Sequence, residues 1–139
     1  MDLALNQRHL SQITTQIADN QEISTPKYDR QNTDIGIVHL GPGAFHRAHQ
    51  AVYTEKAMNL SGGNWGICGV SLRSATARNV LAEQDNLYTL AILDKNISYQ
   101  IIGAIKEILV ASEQNDEIIA RMSLASTKLV TLTITEKGY

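Results

Sequence analysis

A short apolar run followed at once by a glycine turn is the feature that most constrains the fold. Ile35–Leu40 is mostly apolar and β-branched, which is typical of a strand buried on both faces. Gly41, Pro42 and Gly43 form the turn, and residues 44–60 then lead to the helix-stop sequence LSGG. The side chains at helical intervals in that segment are Phe45, Ala48, Val52, Tyr53, Lys56 and Leu60. We therefore predict a strand, a tight turn and a helix in direct succession.

The rest of the chain repeats this alternation. Further strands are predicted over 65–72, 87–93, 98–105 and 128–134, with a hairpin around residues 94–96 between the second and third of these. Helices are predicted over 3–18, 75–83 and from Ser112 or Asn115 to about Ser123, and a loop over 19–34. Because the strands are apolar rather than alternating, we predict an α/β domain with a Rossmann-like, mostly parallel sheet and flanking helices.

Length bounds the domain organisation. The 139 residues suffice for one domain with a continuous core. We predict an N-terminal helix and loop extension over 1–34 and a dinucleotide-binding domain over 35–139. The sequence ends in LVTLTITEKGY, directly after an apolar strand, so we expect the chain to be a truncated piece of a longer protein.

Charge and composition narrow the range of partners. The net charge is −2 and the basic residues are scattered, so we predict neither a nucleic-acid nor a membrane partner. No apolar stretch approaches the roughly 20 residues of a membrane span, and the N-terminus has no signal-peptide pattern. Cys68 is the single cysteine and cannot form an internal disulfide. These features favour a cytoplasmic protein.

The two glycines of the turn indicate a phosphate-binding role. Gly41 permits the tight turn, and Gly43 removes the Cβ that would keep phosphates away from the backbone. The first N–H groups of the following helix would then meet the negative charge of a pyrophosphate. The usual fingerprint has a third glycine, and His46 takes its place here. A simple capping turn is the alternative, but the flanking strands favour a dinucleotide site.

Histidines near the turn raise the question of a metal. His46 and His49 are three residues apart and would share a helix face. No Cys, Asp or third His stands nearby at ligand spacing, so we predict no metal and interpret both as surface polar residues near a phosphate. His39, inside the strand, is predicted to be a hydrogen-bonded core or interface histidine.

Cofactor choice is normally determined at the end of the second strand. An acidic residue there binds the ribose 2′-hydroxyl of NAD, whereas an arginine accommodates the 2′-phosphate of NADP. The sequence VSLRSATAR offers Arg73 and Arg78 and no acid. This favours NADP or the use of both cofactors. A solvated Arg73 without a binding role is an equally weighted alternative.

Threonines mark the end of the last predicted strand. Thr131, Thr133 and Thr135 share one face of that strand. Ligands of doubly wound sheets bind beyond the carboxyl ends of the strands, so Thr135 and Glu136 are expected at the rim of the cleft. The alternative is that the threonines are ordinary strand formers and Glu136 is a solvated loop charge.

Four segments resemble the mannitol dehydrogenase family of long-chain polyol dehydrogenases, which includes mannitol 2-dehydrogenases and fructuronate reductases (D-mannonate oxidoreductases). They are GPGAFHRAHQAVY, WGICGVSLRS, QDNLYTL and TLTITEKGY, in the family's order and at similar spacing. The resemblance spans residues 26 to 139. PKYDR and the VSLRS–QDNLYTL pairing look more like the fructuronate reductases, so that substrate class is favoured over mannitol and fructose.

The resemblance implies hydride transfer between NAD, or NADP, and a polyol or sugar acid without a metal. It implies a helical C-terminal domain, absent from this chain, that carries the proton-transferring lysine; Lys137 is not that lysine, so no catalytic residue is assigned and the chain alone is expected to be inactive. The full-length enzyme is expected to be monomeric. Together with the residue-based arguments, the candidate cofactor residues are Gly41, Gly43, Ala44, Phe45, His46, Arg73, Arg78, Thr133, Thr135 and Glu136.

Two other classes of function remain open. A non-catalytic module that senses a dinucleotide would share the same turn, and a Rossmann-like domain with a vestigial site would share the same fold. The segment beyond Tyr139 distinguishes the first of these from an enzyme, because an enzyme needs the lysine-bearing domain and a sensor does not.

Overall fold

The structure, a computed structural model, describes residues 4–16 and 22–135. Its helices are α1 (Leu10–Gln16), α2 (Ala44–Ala48), α3 (Gln50–Ser61), α4 (Thr76–Ala82) and α5 (Asn115–Ser123). Its strands are β1 (Glu22–Ser24), β2 (Ile35–Leu40), β3 (Gly66–Ser71), β4 (Tyr88–Leu93), β5 (Ile97–Ile102), β6 (Ile105–Val110) and β7 (Leu129–Leu132). None of the helices in these described ranges has the length and hydropathy needed to cross a membrane.

The main sheet has four strands in the order β6-β3-β2-β7, and every neighbouring pair is parallel. The predicted strands 35–40, 65–72 and 128–134 therefore correspond to β2, β3 and β7, which are adjacent and parallel. Parallel strands place their carboxyl ends at one edge, so the turn after β2 and the end of β7 lie side by side.

Helices cover both faces of this sheet because successive residues of a strand point to opposite sides. Ile37 belongs to the core cluster that includes Met58 of α3 and Leu81 of α4. Its neighbour Val38 belongs to the other cluster, with Ile118 of α5. The predicted α/β class with a mostly parallel sheet and flanking helices is confirmed.

A smaller sheet has the order β1-β5-β4. The hairpin of β4 and β5 around residues 94–96 is confirmed. The predicted single strand 98–105 is wrong, because β5 ends at Ile102 and β6 begins in the main sheet at Ile105. Between them, a Cβ on Gly103 would lie 2.9 Å from Arg30 Cδ, and Arg30 Nε donates to the Gly103 carbonyl at 2.8 Å. The chain changes sheets where it passes this arginine.

Two other local predictions need correction. The predicted helix 44–60 is two helices, which meet at His49 with φ −125° and ψ −90°. Within the predicted loop 19–34, residues 22–24 form β1, which pairs in parallel with β5.

The helical intervals of residues 44–60 and the apolar run 128–134 do not correspond to uniformly buried side chains. Of the side chains at the predicted helical intervals of residues 44–60, Val52 is buried, whereas Tyr53 and Leu60 are exposed. The predicted buried strand 128–134 is instead the edge strand β7, and Leu129 and Val130 on it are about half exposed.

A buried carboxylate ties the N-terminal segment to α3. Glu55 has no exposed surface, and its Oε2 accepts hydrogen bonds from the Tyr28 hydroxyl at 2.8 Å and the Gly103 N–H at 3.0 Å. Its Oε1 is buried without a partner. Burial raises the pKa of Glu55, and the bonds from Tyr28 and Gly103 oppose that shift.

Candidate functional site

The turn after β2 is held against the neighbouring strand by its own backbone. Gly41 has φ +89°, a conformation that favours glycine, and its N–H donates to the Val70 carbonyl of β3 at 2.9 Å. A Cβ on Gly69 would lie 2.9 Å from Pro42 Cγ, so β3 needs a glycine where the proline packs. The turn therefore depends on two glycines, Gly41 directly after β2 and Gly69 on the adjacent strand β3.

Gly43 has ordinary extended backbone, with φ −75° and ψ −173°. An ideal Cβ placed on it would meet only the Gly41 carbonyl oxygen, at 4.0 Å. The space above this position is thus open, and a side chain here would fill that space rather than strain the fold. The five-residue α2 follows at once, so a phosphate contact would rest on the geometry of the turn rather than on the dipole of a long helix.

An open cleft of about 310 Å³ lies between the end of β2, α2, the start of α3 and the end of β7; Gly41 and Gly43 of the turn do not line it. Phe45 is 66% exposed at this cleft, and its ring stacks on that of His49 with centroids 5.1 Å apart. The lining residues are His39, Phe45, His46, His49, Gln50, Thr131, Leu132, Thr133 and Ile134.

The His39 side chain connects β2 to the turn that follows it and to the end of β7. It is buried and lies directly opposite Thr131 of β7 in the register of the sheet. Its Nδ1 is 2.8 Å from Thr131 Oγ1. Its Nε2 is 3.1 Å from Thr133 Oγ1 and 3.2 Å from the Gly41 carbonyl oxygen. The prediction of a hydrogen-bonded core histidine is confirmed.

His46 is not a surface residue, and that prediction was wrong. Its side chain is 1% exposed, and its ring stacks on His39 with centroids 3.6 Å apart and an interplanar angle of 12°. Neither ring nitrogen has a hydrogen-bond partner of normal geometry, although Gln50 lies close by. His49 is exposed. The residue in the third-glycine position therefore forms the floor of the cleft.

Burial also determines the protonation of this pair. It lowers the pKa of His39, and the hydrogen bond with the Gly41 carbonyl opposes that shift. It lowers the pKa of His46 to about 4, and the neighbouring His39 acts in the same direction. Both rings are neutral at pH 7, so each offers one N–H donor and one acceptor nitrogen.

The two arginines at the second strand differ in their surroundings. Arg73 is exposed just beyond β3. Arg78 lies on α4, where its guanidinium contacts Glu113 Oε2 at 2.5 Å and Gln114 Oε1 at 3.4 Å. Neither arginine lines the cleft beside the turn.

The remaining candidate residues lie at the turn and at the end of β7. Ala44 is exposed at the start of α2, and Thr133 lines the cleft. Thr135 is exposed beyond β7, and Glu136 lies outside the described residues. Within residues 4–16 and 22–135, no three His, Cys, Asp or Glu side chains form a group that could hold a metal ion.

Gln50 and Thr131 are among the lining residues to which the sequence gave no cofactor role. Gln50 was given no role, although its Oε1 lies 3.1 Å from Thr131 Oγ1. Thr131 was placed on the strand face but not linked to His39. A signal existed, since His39 and Thr131 each stand near the carboxyl end of an apolar run, where adjacent parallel strands bring side chains together.

A parallel sheet with helices on both faces, and a glycine turn after a central strand beside a cleft at the carboxyl edge, defines a Rossmann-type domain. Comparison with known proteins makes the assignment more specific. The family model of the mannitol dehydrogenase Rossmann domain matches residues 35–139. The chain belongs to the mannitol dehydrogenase family.

Individual relatives agree with this family. A mannitol 2-dehydrogenase of Aspergillus fumigatus is 44% identical over 142 residues, covering 99% of this chain. One of Pyricularia oryzae is 41% identical over 145 residues, covering all of it. The chain spans 28% of the length of each.

Solved structures show the same relationship. Pseudomonas fluorescens mannitol 2-dehydrogenase, in a ternary complex with NAD and D-mannitol, superposes with a TM-score of 0.86 at 39% identity. A substrate-free D-sorbitol dehydrogenase superposes with a TM-score of 0.84 at 27% identity. Each match covers 99% of this chain and 28% of the other.

Proposed function

We propose that this chain is the NAD(P)-binding domain of an oxidoreductase that acts on a polyol or a sugar acid. The observation that carries the proposal is the open space above Gly43, at a glycine turn on the carboxyl edge of the sheet. A dinucleotide pyrophosphate needs such a position without a Cβ. The similar Pseudomonas fluorescens enzyme, whose structure contains NAD, supports the same assignment. In the same way we propose that residues 1–34 are an extension to a domain that begins at Ile35.

The proposal gives each candidate cofactor residue a task. Gly41 and Gly43, with the backbone that leads into Ala44, bind the pyrophosphate. Phe45 and His46 contact the cofactor next to the turn. Thr133, Thr135 and Glu136 contact the nicotinamide half, and Arg73 and Arg78 contact the adenine ribose. When bound, the nicotinamide supplies the hydride chemistry, while the protein fixes geometry and excludes water.

NAD is the proposed cofactor, and NADP is the alternative. The similar enzyme from Pseudomonas fluorescens carries NAD. Arg73, exposed just past β3, is the observation that favours NADP, because a free guanidinium suits a 2′-phosphate.

Proton transfer is assigned to a lysine beyond Tyr139, so we propose that this chain holds no catalytic residue and is inactive alone. A lysine base must have its pKa lowered toward the working pH by burial or by neighbouring charge. The full-length enzyme is proposed to be a cytoplasmic monomer with a small-molecule substrate.

Two substrate pairs are supported by different observations. The segments PKYDR and VSLRS–QDNLYTL favour fructuronate and mannonate. The relatives are mannitol 2-dehydrogenases, which favours fructose and mannitol. NADH oxidation by the full-length protein with fructuronate and with fructose, in parallel, separates these substrates.

Adding a binding measurement to these turnover assays tests the broader proposal. Fluorescence titration of NADH and NADPH is combined with turnover of both ketoses. Binding with turnover supports an enzyme, and binding without turnover of any polyol or sugar acid indicates a dinucleotide sensor. A protein that binds neither nucleotide has a vestigial site, and the proposal then fails.

A further inference from the structure

The His39 ring joins two backbone segments, the turn after β2 and the end of β7. Its Nε2 contacts the Gly41 carbonyl oxygen, which belongs to the turn after β2. The same ring contacts Thr131 and Thr133, which lie on β7 and just beyond it. In the proposed function, the first segment binds pyrophosphate and the second lies beside the nicotinamide.

We propose that His39 is a positioning residue that holds the phosphate-binding turn in a fixed relation to the end of β7. It thereby sets the spacing between the pyrophosphate and nicotinamide contacts of a bound dinucleotide. This inference rests on the proposed function, because a dinucleotide is the ligand that spans these two segments.

The tautomer of the His39 ring decides which of its contacts are hydrogen bonds. The Gly41 carbonyl can only accept, so the positioning contact requires that Nε2 carry the proton of the neutral ring. Nδ1 must then accept from the Thr131 hydroxyl. In the structure the Thr131 hydroxyl faces Gln50 Oε1 at 3.1 Å. Since that hydroxyl has one proton, the Nε2–H tautomer requires the Gln50 amide to be rotated so that its nitrogen donates to Thr131. A chain of donors then runs from Gln50 through Thr131 and His39 to Gly41.

The surroundings of His39 keep that arrangement in place. The ring is 3% exposed and is covered on one face by the parallel ring of His46. A tilt of the His39 ring would break contacts with the turn and with β7 together. The turn and the strand end therefore move as one unit.

Two substitutions separate the contacts of the two ring nitrogens. In His39→Gln the amide reaches the Nε2 position and can still donate to the Gly41 carbonyl. In His39→Asn the amide reaches only the Nδ1 position and retains the Thr131 contact. We expect His39→Asn to raise the Kd for NADH at least about fivefold more than His39→Gln does, as the loss of one positioning hydrogen bond predicts.

The test uses the full-length protein and measures the NADH Kd and the thermal midpoint of each variant. The same substitutions at His9 provide the matched control, since its ring contacts the Ala4 carbonyl at the protein surface. Histidine side-chain ¹⁵N spectra of the wild type should show the Nε2–H tautomer at His39, identified by its loss in both His39 variants.

Each outcome has a distinct meaning. If the wild type binds neither NADH nor NADPH, the proposed function fails. If the wild type binds but both His39 variants weaken NADH binding equally, or only in proportion to their lower thermal midpoints, the positioning role is overturned. An Nδ1–H tautomer at His39 also overturns it, because that ring cannot donate to Gly41.

Discussion

His39 and His46 stack face to face inside the protein, with ring centroids 3.6 Å apart and an interplanar angle of 12°. Two imidazolium rings at this distance would repel each other, and burial of both rings strengthens that repulsion. The pair is therefore stable when both rings are neutral, and its protonation links the structure of the cleft to pH.

The first prediction concerns acid stability. The pKa of His46 is about 4 in the folded state, below the ordinary 6.5, so the unfolded state binds more protons between these values. The contribution of neutral His46 to the free energy of unfolding is fully present above pH 6.5. It falls by up to about 1.4 kcal/mol per pH unit as the pH drops toward 4. His46→Phe keeps a stacked ring but cannot titrate. In the full-length protein, this variant should lose less of its thermal midpoint between pH 7 and pH 5.

Comparing His46→Phe with the wild type separates the titration of His46 from that of the neighbouring groups. His39, Arg47 and His49 act on His46 and are present in both proteins. Glu55, whose pKa is raised by burial, changes stability in the opposite direction over its own titration range and is also common to both. Parallel midpoint curves for the two proteins would contradict the prediction.

The second prediction concerns Gly43. Val fits the extended backbone of this position, and its side chain would fill the open space above the turn. Gly43→Val should keep the thermal midpoint while raising the Kd for NADH at least about tenfold. Ala57→Val, at an exposed site on α3, is the matched control. Unchanged NADH affinity in Gly43→Val would show that the turn has a structural role only.

The third prediction separates backbone strain from binding. Gly41 has φ +89° and Gly62 has φ +65°, and a Cβ on either would meet no atom within 4 Å. Alanine at either position should cost about 1–2 kcal/mol of stability, because the left-handed region disfavours a Cβ. Only Gly41→Ala should also weaken NADH binding, since Gly41 belongs to the turn proposed to bind the pyrophosphate, whereas Gly62 caps the C-terminal end of α3. Thermal midpoints and titrations that show equal binding losses would refute this distinction.

The fourth prediction concerns cofactor choice. Arg73→Ala should raise the Kd for NADPH more than about tenfold and that for NADH much less, since a lost charge-assisted pair costs about 1.5–3 kcal/mol. Arg78→Ala should have a smaller effect because its guanidinium already pairs with Glu113. Arg8→Ala, at an exposed site, controls for the change in net charge. Equal changes for both cofactors would reduce Arg73 to a general electrostatic contributor.

The fifth prediction concerns the buried carboxylate. Glu55→Ala leaves the Tyr28 hydroxyl and the Gly103 N–H without their acceptor, so it should lower the free energy of unfolding by about 2–5 kcal/mol. Glu55→Gln keeps an acceptor and removes the cost of burying a charge, so it should retain most of the stability. Glu83→Ala, at an exposed site, is the control. A thermal midpoint for Glu55→Gln as low as that for Glu55→Ala would contradict this account.

The main sheet could be predicted from the sequence because its strands are continuous apolar runs. Ile35–Leu40 and the run over 65–72 fall within one residue of β2 and β3. The glycine turn was equally accessible, since few residues other than glycine adopt the φ of Gly41. These features depend on the chemistry of neighbouring residues along the chain.

Features that depend on distant residues could not be predicted. The division between β5 and β6 depends on Arg30, which is far away in sequence and contacts the Gly103 carbonyl. The burial of His46 depends on the break at His49 and on the ring of His39. Helical periodicity carries no information on either contact. The assignment of Phe45, Arg73 and Thr135 to a cofactor stays a prediction.

The pairing of β1 with β5 has a consequence for the synthesis of the protein. Glu22 is opposite Ser98, so a growing chain exposes β1 long before its partner strand leaves the ribosome. The small sheet is therefore completed late, after the turn and α3 have been translated. Until then the N-terminal segment is accessible to chaperones and proteases, and a translation product that stops before residue 97 leaves β1 without its partner strand.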